Sequence, residues 1–266
     1  MTTAKELIQA RRKRIADELN DTPGILAKLY SRQDFARIGH NVDLMARSLL
    51  LRGMMSYRIE DDVKAAFSDF QASCELTKEF DRAIKGIQGG EPDLQTAYLD
   101  IADLGIPLYT CLLASNWDRV VVIAKLSQHP AVQEKGDPIR AIMSKLLVAL
   151  ILDDKNEFTD LRSKYDRLKK SHWWQYFIIY IDLYESVLNR DQERFDALME
   201  TAEKKFQARA SDRKFGDLRP EYGGGQENNA VVLDFMSLGI AKVALKRGMR
   251  VARDSDVMPR SLLERG

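Results

Sequence analysis

A short polar turn recurs three times in this chain, each time between two stretches whose apolar residues repeat at helical spacing. The turns are Asn116-Trp117-Asp118-Arg119-Val120, Lys155-Asn156-Glu157-Phe158 and Asp191-Gln192-Glu193-Arg194-Phe195. The apolar residues that close them, Val120, Phe158 and Phe195, lie 38 and then 37 residues apart. A period of about 35–45 residues is that of stacked helical hairpins, because one hairpin cannot bury its apolar face alone. The spacing predicts an all-α body of helical hairpins, stacked in the manner of tetratricopeptide or HEAT arrays. Bodies of that kind usually bind proteins rather than transform small molecules.

The chain has 266 residues, enough to bury a substantial core, and its 45% hydrophobic and 30% charged content is that of a globular protein. We expect one helical domain over 1–266: N-terminal helices over 1–90, hairpin repeats over 91–208, and a polar loop, buried helix and tail over 209–266. With 41 basic against 40 acidic side chains, the whole chain gives no electrostatic reason to bind nucleic acid. The run Arg11-Arg12-Lys13-Arg14 reads as a solvated helix face, and no apolar stretch follows it as a signal peptide requires. The most apolar helical stretch, residues 173–188, is too short and too polar to cross a membrane, which takes about 20 apolar residues. The expected location is the cytoplasm.

Along the chain, residues 4–19 read as a charged helix ended by Asn20-Asp21-Thr22-Pro23-Gly24. Apolar spacing then predicts helices over 41–57 and 63–84, with Asp61 and Asp62 opposing the dipole of the second. Residues 93–114 also read as a helix, kinked at Pro107. The run Val120-Val121-Val122-Ile123 favours a strand locally, but its place after a polar turn decides for a helix. Asp137-Pro138 reads as an N-cap followed by proline at the first helical position. Ser171 should cap the 173–188 helix, whose apolar residues encircle it and make it central. Phe195, Leu198, Met199, Ala202 and Phe206 mark its outer partner. Asn228 or Asn229 is placed to cap the last helix, which Gly248 ends.

Candidate chemistry is sparse. Asp153, Asp154 and Glu157 have the spacing of a divalent-metal cluster, but they fall in a hairpin turn where capping already accounts for acids. His40, His129 and His172 lie at helix ends with no partner of the H-E-x-x-H kind. Gly223-Gly224-Gly225 precedes a helix, as a phosphate site would, yet no Lys-Ser or Lys-Thr follows. Trp173, Trp174, Tyr176, Tyr180 and Tyr184 read as core. Cys74 and Cys111 sit in apolar stretches with no second ligand nearby in sequence, and read as reduced core residues. No metal, cofactor or catalytic set is expected.

The polar stretch over 207–227 breaks the pattern, and a segment this long within a compact domain is usually functional or disordered. It contains Leu218-Arg219-Pro220-Glu221-Tyr222-Gly223-Gly224-Gly225. Asn228-Asn229, Asp234-Phe235, Leu238-Gly239-Ile240-Ala241-Lys242, Gly248 and Asp256-Val257-Met258-Pro259 follow. This string resembles the C-terminal part of the all-helical immunity proteins of bacterial polymorphic-toxin systems, in particular the group named immunity protein forty-nine. The likeness covers about a fifth of the chain; elsewhere only size and helical make-up match. It implies a non-enzymatic cytoplasmic protein that binds and neutralises one cognate toxin domain in its producer. It does not name the toxin.

Arg213, Arg219, Glu221, Tyr222 and Asn228 are then the candidate partner-binding residues, since Arg and Tyr join apolar contact to directional hydrogen bonds. Asp234, expected one turn into the last helix, is too costly to bury unpaired. Arg213 or Arg219 is its expected partner, in a structural pairing. Two other readings stay open. One is a helical-repeat scaffold or regulator binding a protein or peptide in a concave groove. The other is an enzyme with its site around 213–234, which would need clustered acids, bases or metal ligands that the sequence does not display.

Overall fold

The computed structural model describes residues 4–89, 98–168, 177–210 and 233–264. These are mostly helical, and the helices pack in pairs. The pairs are made by one turn used repeatedly. Helix α5 (Gly105–Leu113) turns into α6 (Trp117–Leu126), α7 (Pro138–Leu152) into α8 (Lys155–Leu168), and α9 (Ile178–Asn189) into α10 (Gln192–Ala210). Between them Ser115, Asp153 and Arg190 take the left-handed conformation, with φ of 54°, 60° and 55°. The next residue in each case caps the second helix. Asn116, Asp154 and Asp191 accept from the backbone N–H of Arg119, Glu157 and Arg194 at 3.1, 3.0 and 3.0 Å.

The backbone bonds repeat as well. Asn116, Asp154 and Asp191 each donate their N–H to the carbonyl five residues back, on Cys111, Ala149 and Ser186. This bond satisfies a carbonyl that the ending helix would otherwise leave open. Val120, Phe158 and Phe195 then fall one turn into the second helix, fully buried.

A fourth copy joins α1 (Ala4–Ser31) to α2 (Phe35–Glu60). Gln33 is left-handed, Asp34 N–H donates to Leu29, Asp34 caps Arg37, and Ile38 takes the buried position. A looser version separates α2 from α3 (Val63–Leu76). There Asp61 is the left-handed end of α2 and Asp62 accepts from Ala65 N–H at 2.8 Å.

Several elements depart from the sequence reading. Helix α1 does not stop at 19 but runs through Pro23. Thr22 Oγ1 bonds the Glu18 carbonyl, and Leu26 and Leu29 beyond the proline are buried, so packing outweighs the missing N–H. The stretch 63–84 is two helices, α3 and α4 (Lys78–Gly89), broken at Thr77. Of the expected 93–114 helix, residues 93–97 lie outside the described residues, and within 98–114 only 105–113 are α-helical. Leu99–Asp100 (β1) instead pairs in parallel with Val132–Gln133 (β2), Leu99 opposite Val132, and a 3₁₀ turn follows at Ile101–Asp103. Pro107 therefore sits in the first turn of α5, where its missing N–H costs nothing, and no kink is required. Helix α9 starts at Ile178 rather than 173, and Ser171, Trp173 and Trp174 lie outside the described residues.

Other expectations hold. Residues 120–123 are helical, and Asp137 caps α7 through the N–H of Ile139 and Arg140. Helix α9 is buried on nearly every side, packed against α7, α10 and α11 (Phe235–Lys246). Gly248 ends α11 at φ +79°. One apolar cluster runs from Ile15 on α1 to Leu263 on α12 (Arg260–Leu263).

Candidate functional site: an anchored C-terminal segment

Of the residues singled out for partner contact, Arg213, Arg219, Glu221, Tyr222 and Asn228 all lie outside the described residues. So do His172, Gly223-Gly224-Gly225 and Asn229. What the structure places is the second half of the same motif, from Asp234 onward, and each of its marked residues has a physical task there.

Asp234 is not inside the last helix but is its N-cap, and this corrects both the expected position and the expected cap at Asn228 or Asn229. Its carboxylate accepts from Ser237 N–H at 3.0 Å, Ser237 Oγ at 2.7 Å and the Tyr180 hydroxyl at 3.4 Å. Its own N–H donates to Val257 in the tail at 2.9 Å. A buried carboxylate is tolerated when donors surround it. Here two of the donating groups come from the helix it caps and one from α9. The arginines expected to reach it lie outside the described residues.

Gly239 meets the ring of Tyr109, which a Cβ would approach to 2.5 Å. That ring stands edge-on to Phe235, with centroids 5.4 Å apart and planes at 84°, and its hydroxyl bonds that of Tyr184. Lys242 is buried and donates to Ser115 Oγ at 2.6 Å, reaching the left-handed turn between α5 and α6. Burial lowers its pKa to about 8. Gly248 supplies the left-handed stop. Val257 and Met258 are buried, and Tyr57 on α2 bonds Ser261 across a 3.0 Å contact. Cap, close approach, buried lysine and stop together dock α11 between α5 and α9.

Beside this docking site lies a charged cluster that sequence reasoning missed. Asp43 on α2 is fully buried and accepts from Arg47 Nε at 2.9 Å and from Arg140 on α7 at 2.7 Å. Arg140 also donates to the Ala102 carbonyl at 3.0 Å and to Asp103 at 3.3 Å. His40 Nδ1 lies 3.8 Å from Asp103. Burial, then the nearby Asp43, push the Asp103 carboxyl up to about 6, against the pull of Arg140. Only Asp43 and Arg47, four apart on one helix, carried a local signal for this cluster. The rest depends on contacts across the fold. Next to it a cavity of about 40 Å³ is lined by Arg47, Tyr109, Met143, Phe177 and Phe235.

The acids of the second hairpin turn separate. Asp153 pairs with Arg247 at 2.9 Å, while Asp154 caps α8. Among the described residues no group of three or more His, Cys, Asp or Glu could hold a metal ion. His129 bonds Gln88 and accepts from Ala131 N–H, a local turn role. Tyr180 and Tyr184 are core. Arg14 pairs with Glu18 at the surface. No described helix is long and apolar enough to cross a membrane.

The two cysteines are free core residues, as expected, and the fold also makes them neighbours. Cys74 and Cys111 had no partner nearby in sequence, but α3 and α5 pack together and bring the two thiols within hydrogen-bonding reach. Comparison of the chain with protein-family models, curated proteins and solved structures returns no match.

Proposed function

We propose that the protein is an immunity protein that binds and neutralises a cognate toxin domain, with its polar 209–229 segment as the contact. The observation that carries this reading is the motif of residues 218–258. Its second half has structural duties in α11, from the Asp234 cap to the Gly248 stop. Its first half, Arg219-Pro220-Glu221-Tyr222 and the three glycines, has a composition suited to directional contact with a protein surface. A buried helix clamped at its first residue is a firm base from which such a segment can present side chains. The repeated turns of the α5/α6, α7/α8 and α9/α10 pairs support a stacked hairpin body behind it, in the tetratricopeptide or HEAT manner. The same stacking favours, as a second reading, a scaffold that binds a peptide in a groove.

Co-expression tests the first reading. The chain is expected to rescue cells from the toxin domain encoded beside it, and Arg219→Ala and Tyr222→Ala to lose that rescue with little change in melting temperature. Full protection by both folded variants moves the binding surface elsewhere. Failure of the native chain to protect, with no toxin gene adjacent, favours the scaffold.

A further inference from the structure

Cys74 and Cys111 meet in the core, where α3 packs on α5. The neighbouring positions fix the register of their two helices, since Ser73 Oγ donates to Thr110 Oγ1 at 2.8 Å. Each cysteine follows one member of that pair. One turn further along, the Thr77 hydroxyl also comes within hydrogen-bonding reach of Cys111. Arg119 on α6 closes the group, with Nε on Thr77 Oγ1 at 2.5 Å and other nitrogens on the Thr77 carbonyl and Asp81. The positive charge of Arg119 favours the thiolate form of Cys74, and a buried thiol becomes reactive once the core around it opens.

We propose that Cys74 and Cys111 are a redox-active dithiol, which hydrogen peroxide converts into an intramolecular disulfide joining α3 to α5.

The two sulfurs are unequal. The hydrogen bond from Cys111 draws the Cys74 thiol below its ordinary range, with burial opposing and Arg119 assisting. Burial, and then Cys74, push Cys111 well above its own. Cys74 is therefore the attacking sulfur. Its thiolate displaces hydroxide from the peroxide O–O bond, and the thiol proton goes to that hydroxide, giving Cys74 sulfenic acid and one water. Cys111 sulfur then attacks the sulfenic sulfur. The S–O bond breaks, the Cys111 proton leaves with the hydroxyl as a second water, and the S–S bond forms. Two thiols are oxidised and one peroxide is reduced. Both sulfurs are buried, so reaction follows a local opening of the α3–α5 contact.

The full chain is treated with hydrogen peroxide, quenched with catalase, denatured and alkylated. Both free thiols should disappear together, with a peptide pair linking 74 to 111 that dithiothreitol releases. The midpoint of thermal unfolding should rise on oxidation and return on reduction, as a cross-link constraining the unfolded chain requires. In Cys111→Ala the reaction should stop at a Cys74 sulfenic acid that dimedone traps, whereas Cys74→Ala should give no adduct. Thiols that stay alkylatable, join only between molecules, or pass to sulfinic acid without the cross-link overturn the proposal. That measurement on the native chain decides even if neither variant folds. A dimedone adduct on Cys111 alone overturns the assigned roles.

Discussion

Asp103 carries a consequence that solution pH exposes. Its carboxyl ordinarily titrates near 3.8 and here is raised to about 6, so the folded chain holds that proton more tightly than the unfolded chain. The contribution to stability is fully present below about 3.8 and is lost as pH rises through about 6. Its ceiling is about 3 kcal/mol at ~1.4 kcal/mol per pKa unit. Thermal midpoints measured between about pH 4.5 and pH 7.5 should shift in favour of the native chain over Asp103→Asn as pH falls. A constant difference would mean that Asp103 titrates as an exposed carboxylate does.

Gly239 gives a second test at the same scale. The Tyr109 ring that its Cβ would strike is held by Phe235 and Tyr184, so it cannot swing clear. Gly239→Ala should therefore cost roughly 1–3 kcal/mol as overpacking, read from urea denaturation. Gly239 stood out in the C-terminal motif and Asp103 did not, but neither role was legible in the sequence. A carboxylate raised by a neighbour on another helix, or a glycine cut to fit a distant ring, leaves no mark in local spacing.

At the level of elements, the helix–helix turn is the unit to perturb. Alanine at Asn116, Asp154 or Asp191 should each cost about 1 kcal/mol by freeing a capped N–H. Phe158→Ala and Phe195→Ala should each cost roughly 3–5 kcal/mol, because both rings are fully buried one turn later. Losses below about 1 kcal/mol at both would remove the hairpin-anchor role. Arg190→Gly is expected to stabilise by up to about 1 kcal/mol, since Arg190 holds a left-handed backbone that glycine adopts without strain.

Three of these turns could be read from sequence because a polar cap followed by a buried aromatic or β-branched residue is visible. The fourth was missed because α1 carries Pro23 and Gly24 just upstream, which imitate a stop. The left-handed residues are Gln33, Ser115, Asp153 and Arg190, not glycine, so nothing local announced them. The 99–104 stretch failed for the opposite reason. Its apolar residues suit a helix, but Leu99 pairs with Val132 across the fold, a contact that periodicity does not encode.

For the whole molecule, the tail after α11 is anchored in the core at both of its ends. Met249, Met258, Leu262 and Leu263 are buried, and the Val257 carbonyl takes the Asp234 N–H. Burial of each such side chain contributes roughly 1.5–3 kcal/mol, and a domain's whole margin is about 5–15 kcal/mol. A chain cut after Gly248 is therefore expected to lose its sharp thermal transition, which a temperature scan of helical ellipticity would detect. An undiminished transition would show that the tail only decorates the body.

The position of α11 also bears on synthesis. This helix is packed between α5 and α9, yet it leaves the ribosome after both of them. Until it arrives, the faces of α5 and α9 that it covers have no partner, Tyr109 lacks Phe235, and the Ser115 turn lacks Lys242. Nascent chains stalled before residue 235 should thus bind hydrophobic-surface chaperones and be cut readily by protease. Those stalled after residue 264 has cleared the exit tunnel should resist both, because the segment from α11 onward covers faces of helices made well before it.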